Sequence, residues 1–524
     1  MMRLLLSFLA AVVASLGQAA SKPNIVVILA DDLGYGDVKC LNPQGKIATP
    51  HLDALAKAGM TFTDAHSGSA VCTPTRYGLI TGRYAWRTKL QQGVLGGLSP
   101  RLIEPNRETV ASLLKAAGYR TACVGKWHLG MDWDIKPGKA VSPLGIEGAN
   151  QVDNVNYDTP IKNGPTTVGF DRYLGIAASL DMVPYGFIEN DRLTARLTER
   201  KQFPLTVGKA GGQTRLGPAA ADFSAEIVLP TLVSKTCDWI AELAKDGKPF
   251  FLYMPLTAPH TPIAPRKEFA GRSGLSPYAD FVMETDAAVG AVVDTLRKSG
   301  ELDNTVLIFT SDNGCSPQAN FPELAKLGHN PSHTFRGTKA DIYEGGHRVP
   351  FFVRGPMVTK PGTTSDQLTC LTDIMRTCCA MGGANVPEEA GEDSFDFSPV
   401  LRGESSDGLR RSIVHHSING SFAIREGFWK LCLCPGSGGW SAPRPGRDDQ
   451  SKMPRQQLFD LKNDIAETTN REEQNPAIVR QLLGALNTMV ANGRSTPGRK
   501  GTNAVAVDVW KAGMAALKPI GKTP

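Results

Sequence analysis

Cys72 opens the stretch Cys72-Thr73-Pro74-Thr75-Arg76, continued by Leu79-Ile80-Thr81-Gly82-Arg83, where a reactive thiol, a rigid turn residue and two guanidinium groups crowd together. Pro74 suits the first turn of a helix, where its missing N–H costs nothing. The spacing therefore predicts that Cys72 stands at a helix N-terminus, beside free backbone donors and the positive end of the dipole. That is a place for an anion next to a nucleophile. Most cysteines are inert packing, and a cysteine-phosphatase loop would need more than the few residues between Cys72 and Arg76 to cup a phosphate with backbone N–H groups. Elsewhere, Asp31-Asp32 closes one apolar run and Asp312-Asn313 closes another. Adjacent carboxylates repel unless a cation joins them, and together these residues make an all-oxygen donor set suited to Ca²⁺ or Mg²⁺ and poor for zinc. The competing reading of Asp31 to Asp37 is a turn rich in Gly and Asp. Lys126 and His128 would project to the same side of an extended chain and so face one anion. His260, held between Pro259 and Pro262, is placed to carry a proton rigidly. His51 and His66 flank the cysteine stretch and are assigned no role.

The elements that must position these groups are legible as alternating strands and helices. Asn24 to Ala30, a continuous β-branched apolar run, predicts a strand buried on both faces, with Asp31-Asp32 at its C-terminal end, where open α/β sheets place ligands. A helix is predicted from Thr49 to Gly59, another over Glu108 to Ala117, and a strand over Tyr119 to Val124 leading into Lys126. Met131 to about Gly217 shows no lasting periodicity and reads as an insertion of loops that shape a pocket. Then follow a helix over Ala225 to Lys245, a strand over Pro249 to Met254 before His260, a helix over Tyr278 to Lys298, and a strand over Thr305 to Phe309 that delivers Asp312. A further strand runs from Phe351 to Arg354. Glu344 and Arg348, four apart, are spaced to form an ion pair that holds their loop. The last third changes to short strands around Ser412 to His416, Phe422 to Arg425 and Trp429 to Leu433, and a closing helix over Pro476 to Asn492 with Asn475 as N-cap. The reading is a large α/β domain over 21–400, a small antiparallel sheet with a helix over 401–495, and a tail over 496–524.

With 524 residues, 41% hydrophobic and 21% charged, the chain has a globular composition and room for a sizeable core. A net charge of +6 without a basic run interleaved with aromatics argues against nucleic-acid binding and suits an anionic substrate. Met1-Met2-Arg3, the apolar run Leu4 to Leu16 and the small residues to Ala20 predict a signal peptide over 1–20, hence an exported, periplasmic or secreted protein of bacterial type with no membrane span. Removing Cys72 from the ten cysteines leaves an odd number, so not all can pair.

Taken together, Asp31-Asp32, Cys72 to Arg83, Gly125 to Gly130, Tyr343 to Pro350 and Gln457 to Glu467 resemble the type I, formylglycine-dependent sulfatase family, arylsulfatase-like, over roughly residues 24 to 470. Ile465 stands where the family usually has proline, a departure at a turn. The resemblance implies an alkaline-phosphatase-like fold with a mostly parallel central sheet, and hydrolysis of an organic sulfate ester to alcohol and inorganic sulfate. It implies that a formylglycine-generating enzyme oxidises Cys72 to an aldehyde whose hydrate attacks sulfur. Asp31, Asp32, Asp312 and Asn313 would hold one calcium ion that also touches residue 72 and a sulfate oxygen. His260 and Lys339 would protonate or neutralise the leaving alcohol, His128 would take the proton that lets sulfate depart, and Arg76 with Lys126 would balance charge. The expected substrate is a sulfated carbohydrate with exo cleavage, galactose or N-acetylgalactosamine type residues following from the family. The alternatives are a phosphomonoester or phosphonate-ester hydrolase of the same superfamily and, if Cys72 stays unmodified, a non-enzymatic glycan-binding protein.

Overall fold

The computed structural model describes residues 22–209, 211–404 and 409–511, so the expected signal peptide lies outside the described residues. Its centre is the strand Asn24–Ala30, buried along its whole length. Ile25, Val27 and Leu29 pack into one hydrophobic layer with Leu79, Ile80, Leu114 and Met375, whereas Val26, Ile28 and Ala30 enter a second layer with Leu52, Leu232, Phe281 and Val292. A strand covered on both faces needs no polar alternation, which is why its sequence reads as an unbroken apolar run. Each such burial stabilises the fold by roughly 1.5–3 kcal/mol.

This strand sits in a ten-stranded sheet, paired in parallel with Phe250–Pro255 on one side and Thr305–Ser311 on the other. Arg120–Lys126 extends the parallel set beyond Phe250–Pro255, while Phe351–Arg354 adds antiparallel to Thr305–Ser311. The helices Ala225–Leu243 and Pro277–Lys298 cover one face; Cys72–Thr81, Val110–Ala116 and Ile374–Gly382 cover the other.

The 131–217 segment is not loop throughout. Arg172–Ile176 pairs in parallel with Arg120–Lys126, and the hairpin Ile188–Glu189 with Arg192–Leu193 completes that edge. Five residues interrupted by Gly175 give too little periodicity to read, yet the glycine is required: a Cβ there would stand 1.8 Å from the Gly125 carbonyl oxygen.

In the C-terminal third, Ser412–His416, Phe422–Glu426, Trp429–Cys432 and Gln457–Asp460 form a four-stranded antiparallel sheet. It packs between the helix Pro476–Asn492 and the large domain, where Ile413, Phe422 and Leu431 meet Leu482 and Leu486 as well as Tyr84 and Trp86. Asn475 holds the N-cap position without capping; its amide donates instead to the Arg471 carbonyl at 2.9 Å. Beyond the helix the chain returns to the large domain, with Ser495 and Thr496 amides on the Glu392 carbonyl and the Ala504 amide on that of Arg87. All ten cysteines are free, and Cys378 and Cys379 are buried packing in one helix. Among the described residues no helix is long and apolar enough to cross a membrane.

Candidate active site

The parallel register brings the chemistry together. Ala30 and Ser311 are opposite one another, so the residues that follow them, Asp31 and Asp312, leave the sheet side by side, and the Asp312 amide donates to the Ala30 carbonyl at 3.0 Å. Lys126 ends the next-but-one strand and its Nζ lies 2.7 Å from Asp31 Oδ2. Cys72 is the first residue of the buried helix Cys72–Thr81, and Gly82 closes that helix in the left-handed conformation, φ 62°.

Three buried carboxylates meet three buried cations here. Arg76 grips Asp312 Oδ2 through Nη2 at 2.7 Å and Nε at 3.1 Å, and reaches the Lys126 carbonyl with Nη1 at 3.1 Å. Lys339 Nζ lies 2.7 Å from Asp32 Oδ1 and 2.8 Å from Oδ2, and the Asn313 amide donates to Asp32 Oδ1 at 2.7 Å. Burial, together with the charges of Asp31 and Asp32, pushes the Asp312 carboxyl up to about 7. Burial alone would lower the Lys339 pKa, but Asp32 and its neighbours outweigh it and raise it. The Cys72 thiol is pushed up by burial, against the pull of Lys126 and Lys339. A thiol in that state is a poor nucleophile.

The donors also pass a test for a cation. Asp31 Oδ1 and Asn313 Oδ1 are buried with no hydrogen-bond partner, a cost a folded protein seldom leaves standing. Together with Asp32 and Asp312 they present hard oxygens only, which fits calcium or magnesium.

Lys126 and His128 do converge on the site, but not through an extended chain. The strand stops at Lys126, and His128 adopts φ 56°, turning its ring so that Nε2 meets the Leu95 carbonyl at 2.8 Å. Its Nδ1 is buried and unpartnered, and burial with the Lys126 charge holds the imidazole well below its ordinary pKa. His260 Nδ1 faces the Thr261 carbonyl at 2.6 Å, so Nε2 points to Ser179 Oγ at 3.3 Å and to Asp32 Oδ2 at 3.7 Å. Ser179 also accepts from Lys126 Nζ at 2.9 Å. Sequence reasoning missed Ser179: it follows the unread strand Arg172–Ile176, and a lone serine in Ala177-Ala178-Ser179-Leu180 carries no signal.

Cys72 is 3%, Lys339 4% and His260 8% exposed, while Arg76, Lys126 and His128 are fully buried. These groups gather at the C-terminal edge of a parallel sheet beside a helix N-terminus, an arrangement whose chemistry suits an anion. A family model described as Sulfatase matches residues 23–384. The chain belongs to the sulfatase family. This sulfatase is 34% identical to the N-acetylgalactosamine-6-O-sulfatase of Bacteroides thetaiotaomicron, over 90% of its own length and 94% of that protein's. It is equally 34% identical to human arylsulfatase A, over 81% and 77% of the two chains. A solved Bacteroides thetaiotaomicron structure, concerned with that organism's metabolism of multiple glycosaminoglycans, superposes with a TM-score of 0.75 at 32% identity, covering 90% of this chain and 99% of the other. The protein is accordingly a sulfuric ester hydrolase.

Proposed function

We propose that this sulfatase is exported and removes sulfate from a terminal galactose-type residue of sulfated glycans, 6-O-sulfated N-acetylgalactosamine foremost, using formylglycine made from Cys72 and one calcium ion. The observation that carries the reading is that Cys72, at the head of a buried helix, feels the charges of Lys126, Lys339, Asp312 and Asp31, beside a four-donor set in which Asp31 Oδ1 and Asn313 Oδ1 accept no hydrogen bond. The relative aligned over nine-tenths of the chain supports the sugar. Asp31, Asp32, Asp312 and Asn313 would hold the ion, a Lewis acid and template, and the hydrated aldehyde at residue 72 would supply the nucleophile.

The chain's own residues then have definite tasks. Lys339 and Lys126 offer fixed positive charge to the sulfate oxygens, prepaid in a dry site. Arg76 keeps Asp312 and the Lys126 carbonyl in place. His260 is held below its ordinary pKa by burial and by Lys339; an arriving anion raises its proton affinity and fits it, with Lys339, to serve the leaving alcohol. His128 donates through Nε2 to Leu95, which leaves the Nδ1 lone pair as the base that takes a proton in the second half of the reaction. Depth favours a chain end over an internal position, because every reacting group is at least nine-tenths buried.

The test is production with a formylglycine-generating enzyme, peptide mass spectrometry at residue 72, and turnover of a panel of defined sulfated mono- and oligosaccharides. Aldehyde at residue 72 and release from chain ends are expected. Full activity with an unmodified cysteine would overturn the nucleophile, and release only from internal positions would overturn the exo reading.

A further inference from the structure

Asp181 lies two residues beyond Ser179, the hydroxyl that bridges Lys126 and His260. Arg215 Nη1 meets its Oδ2 at 2.8 Å and its carbonyl at 3.1 Å, while its Oδ1 is buried with no hydrogen-bond partner. Glu147 repeats the pattern. It is 6% exposed, its Oε2 accepts only a 3.3 Å contact from the Leu98 amide, and its Oε1 is buried and unpartnered. Glu147 feels the charges of Arg215 and Asp181, and Asp181 feels those of His260, Arg215 and Lys126. On the Glu147 side, the Leu95–Leu98 turn links this group to His128, whose Nε2 rests on the Leu95 carbonyl. One oxygen of each acid is withheld from the protein, a state of a buried polar atom that calls for a partner from outside.

The chemistry of that arrangement selects its ligand. Two carboxylates, Glu147 buried and Asp181 partly so, with one guanidinium repel a second anionic group. They do not need a metal, because Arg215 already supplies positive charge. What they lack is neutral donors, and vicinal hydroxyls on a pyranose ring are neutral donors, while the guanidinium can donate to ring or hydroxyl oxygens. Resting on the sulfatase reading above, we propose that Glu147, Asp181 and Arg215 form the specificity subsite that grips hydroxyls of a neutral sulfated sugar and rejects sulfated uronates.

The experiment compares wild type, Asp181→Asn and Glu147→Gln by the ratio of kcat/KM for N-acetylgalactosamine 6-sulfate to kcat/KM for 4-nitrophenyl sulfate. A fall of about 10²-fold in that ratio is expected for Asp181→Asn, the cost of mispairing a buried hydroxyl contact. Saturation-transfer NMR with unsulfated N-acetylgalactosamine gives a readout that needs no turnover, and the signal should be lost in the same variant. An unchanged ratio, or sugar binding equal to wild type, overturns the subsite while leaving the sulfatase reading intact. Failure of wild type to cleave any sulfate ester condemns that reading instead, and the NMR comparison still decides the subsite. Should Asp181→Asn not fold, Glu147→Gln, which keeps an acceptor for the Leu98 amide, carries the same two outcomes.

Discussion

The sulfatase buries two clusters of charge, and they differ in the donor atoms they gather. At the seam between the large domain and the C-terminal sheet, Glu344, His66, His347 and His415 come close enough to share a metal ion. The protein fills that place itself. Lys430 Nζ lies 3.1 Å from Glu344, 2.9 Å from His347 Nε2 and 2.8 Å from Glu467. Arg425 holds Asp64 at 2.7 Å and Arg348 holds Glu344 at 3.2 Å, which also realises the expected pairing four residues apart. His66 and His347 face each other through Nδ1 atoms 3.1 Å apart, and His415 stacks on His347 with ring centroids at 3.6 Å. Around Cys72, Asn313 Oδ1 and Asp31 Oδ1 accept no hydrogen bond, the latter with Arg76 Nη2 3.4 Å away. Both clusters keep buried atoms without a hydrogen-bond partner, His415 Nε2 at the seam as well as Asp31 Oδ1 and Asn313 Oδ1 around Cys72; what separates them is the donor set, imidazoles with a carboxylate at the seam against carboxylate and amide oxygens around Cys72.

The sharpest way to break the comparison is Cys72→Ala. Turnover should fall by about 10⁴-fold or more, with the thermal midpoint within a few degrees of wild type, since one small substitution at a helix start disturbs little of the core. A large loss of stability would show that the reactive cluster is also a structural keystone.

Lys430→Met should do the reverse. It strips compensation from buried Glu344 and Glu467, and a cost of about 3–5 kcal/mol in urea denaturation is expected. Unchanged stability would mean that the seam cluster does not depend on its own cation.

Removing the ion from the reactive cluster comes next. Chelation, or Asn313→Ala, should lower kcat by about 10²–10³-fold, with calcium restoring the chelated enzyme. Restoration by zinc but not by calcium would contradict the all-oxygen donor set.

The smallest effect is a proton count at the seam. Burial first, and neighbouring cations after it, hold His347 and His415 well below the ordinary imidazole value, and burial lowers His66. Unfolded imidazoles titrate near 6.5, so below that pH the unfolded chain binds protons that the native state refuses. Their stabilising contribution is present above about pH 6.5 and is lost as pH falls. Glu467, pushed up to about 7 chiefly by burial, acts oppositely: its contribution is full below its unfolded value and is lost as pH rises through 7. Three imidazoles outweigh it on the acid side. His415→Gln should therefore reduce the dependence of unfolding free energy on pH near 5.5 by up to about 1.4 kcal/mol per pH unit. Denaturation curves at several pH values measure it, and a parallel dependence in the variant would show that His415 is charged in the native state.

The sequence alone picked out the residues that the fold gathers around Cys72 and the sheet that carries them. Asn24 to Ala30, Pro249 to Met254 and Thr305 to Phe309 were readable because strands covered on both faces are apolar without interruption, and Asp31, Asp32, Asp312 and Asn313 were readable because polar residues end such runs at the ligand-binding edge. Cys72 and Pro74 announced a helix start because a helix N-terminus has local chemical requirements. What depended on long-range pairing was silent. Arg172–Ile176 owes its strand to Arg120–Lys126 and to the close approach of Gly175 and Gly125, not to its own pattern. His128 meets the site through a left-handed turn rather than an extended chain. Glu147 and Asp181 declare themselves only when a buried oxygen is found without a partner, Ser179 only when Lys126 and His260 are seen to meet at its hydroxyl, and Lys430 explains the seam only once Glu344 and Glu467 are seen around it. Local periodicity records which face is buried, while the satisfaction of each polar atom is settled by segments far apart in the chain, and that balance exists only in the folded protein.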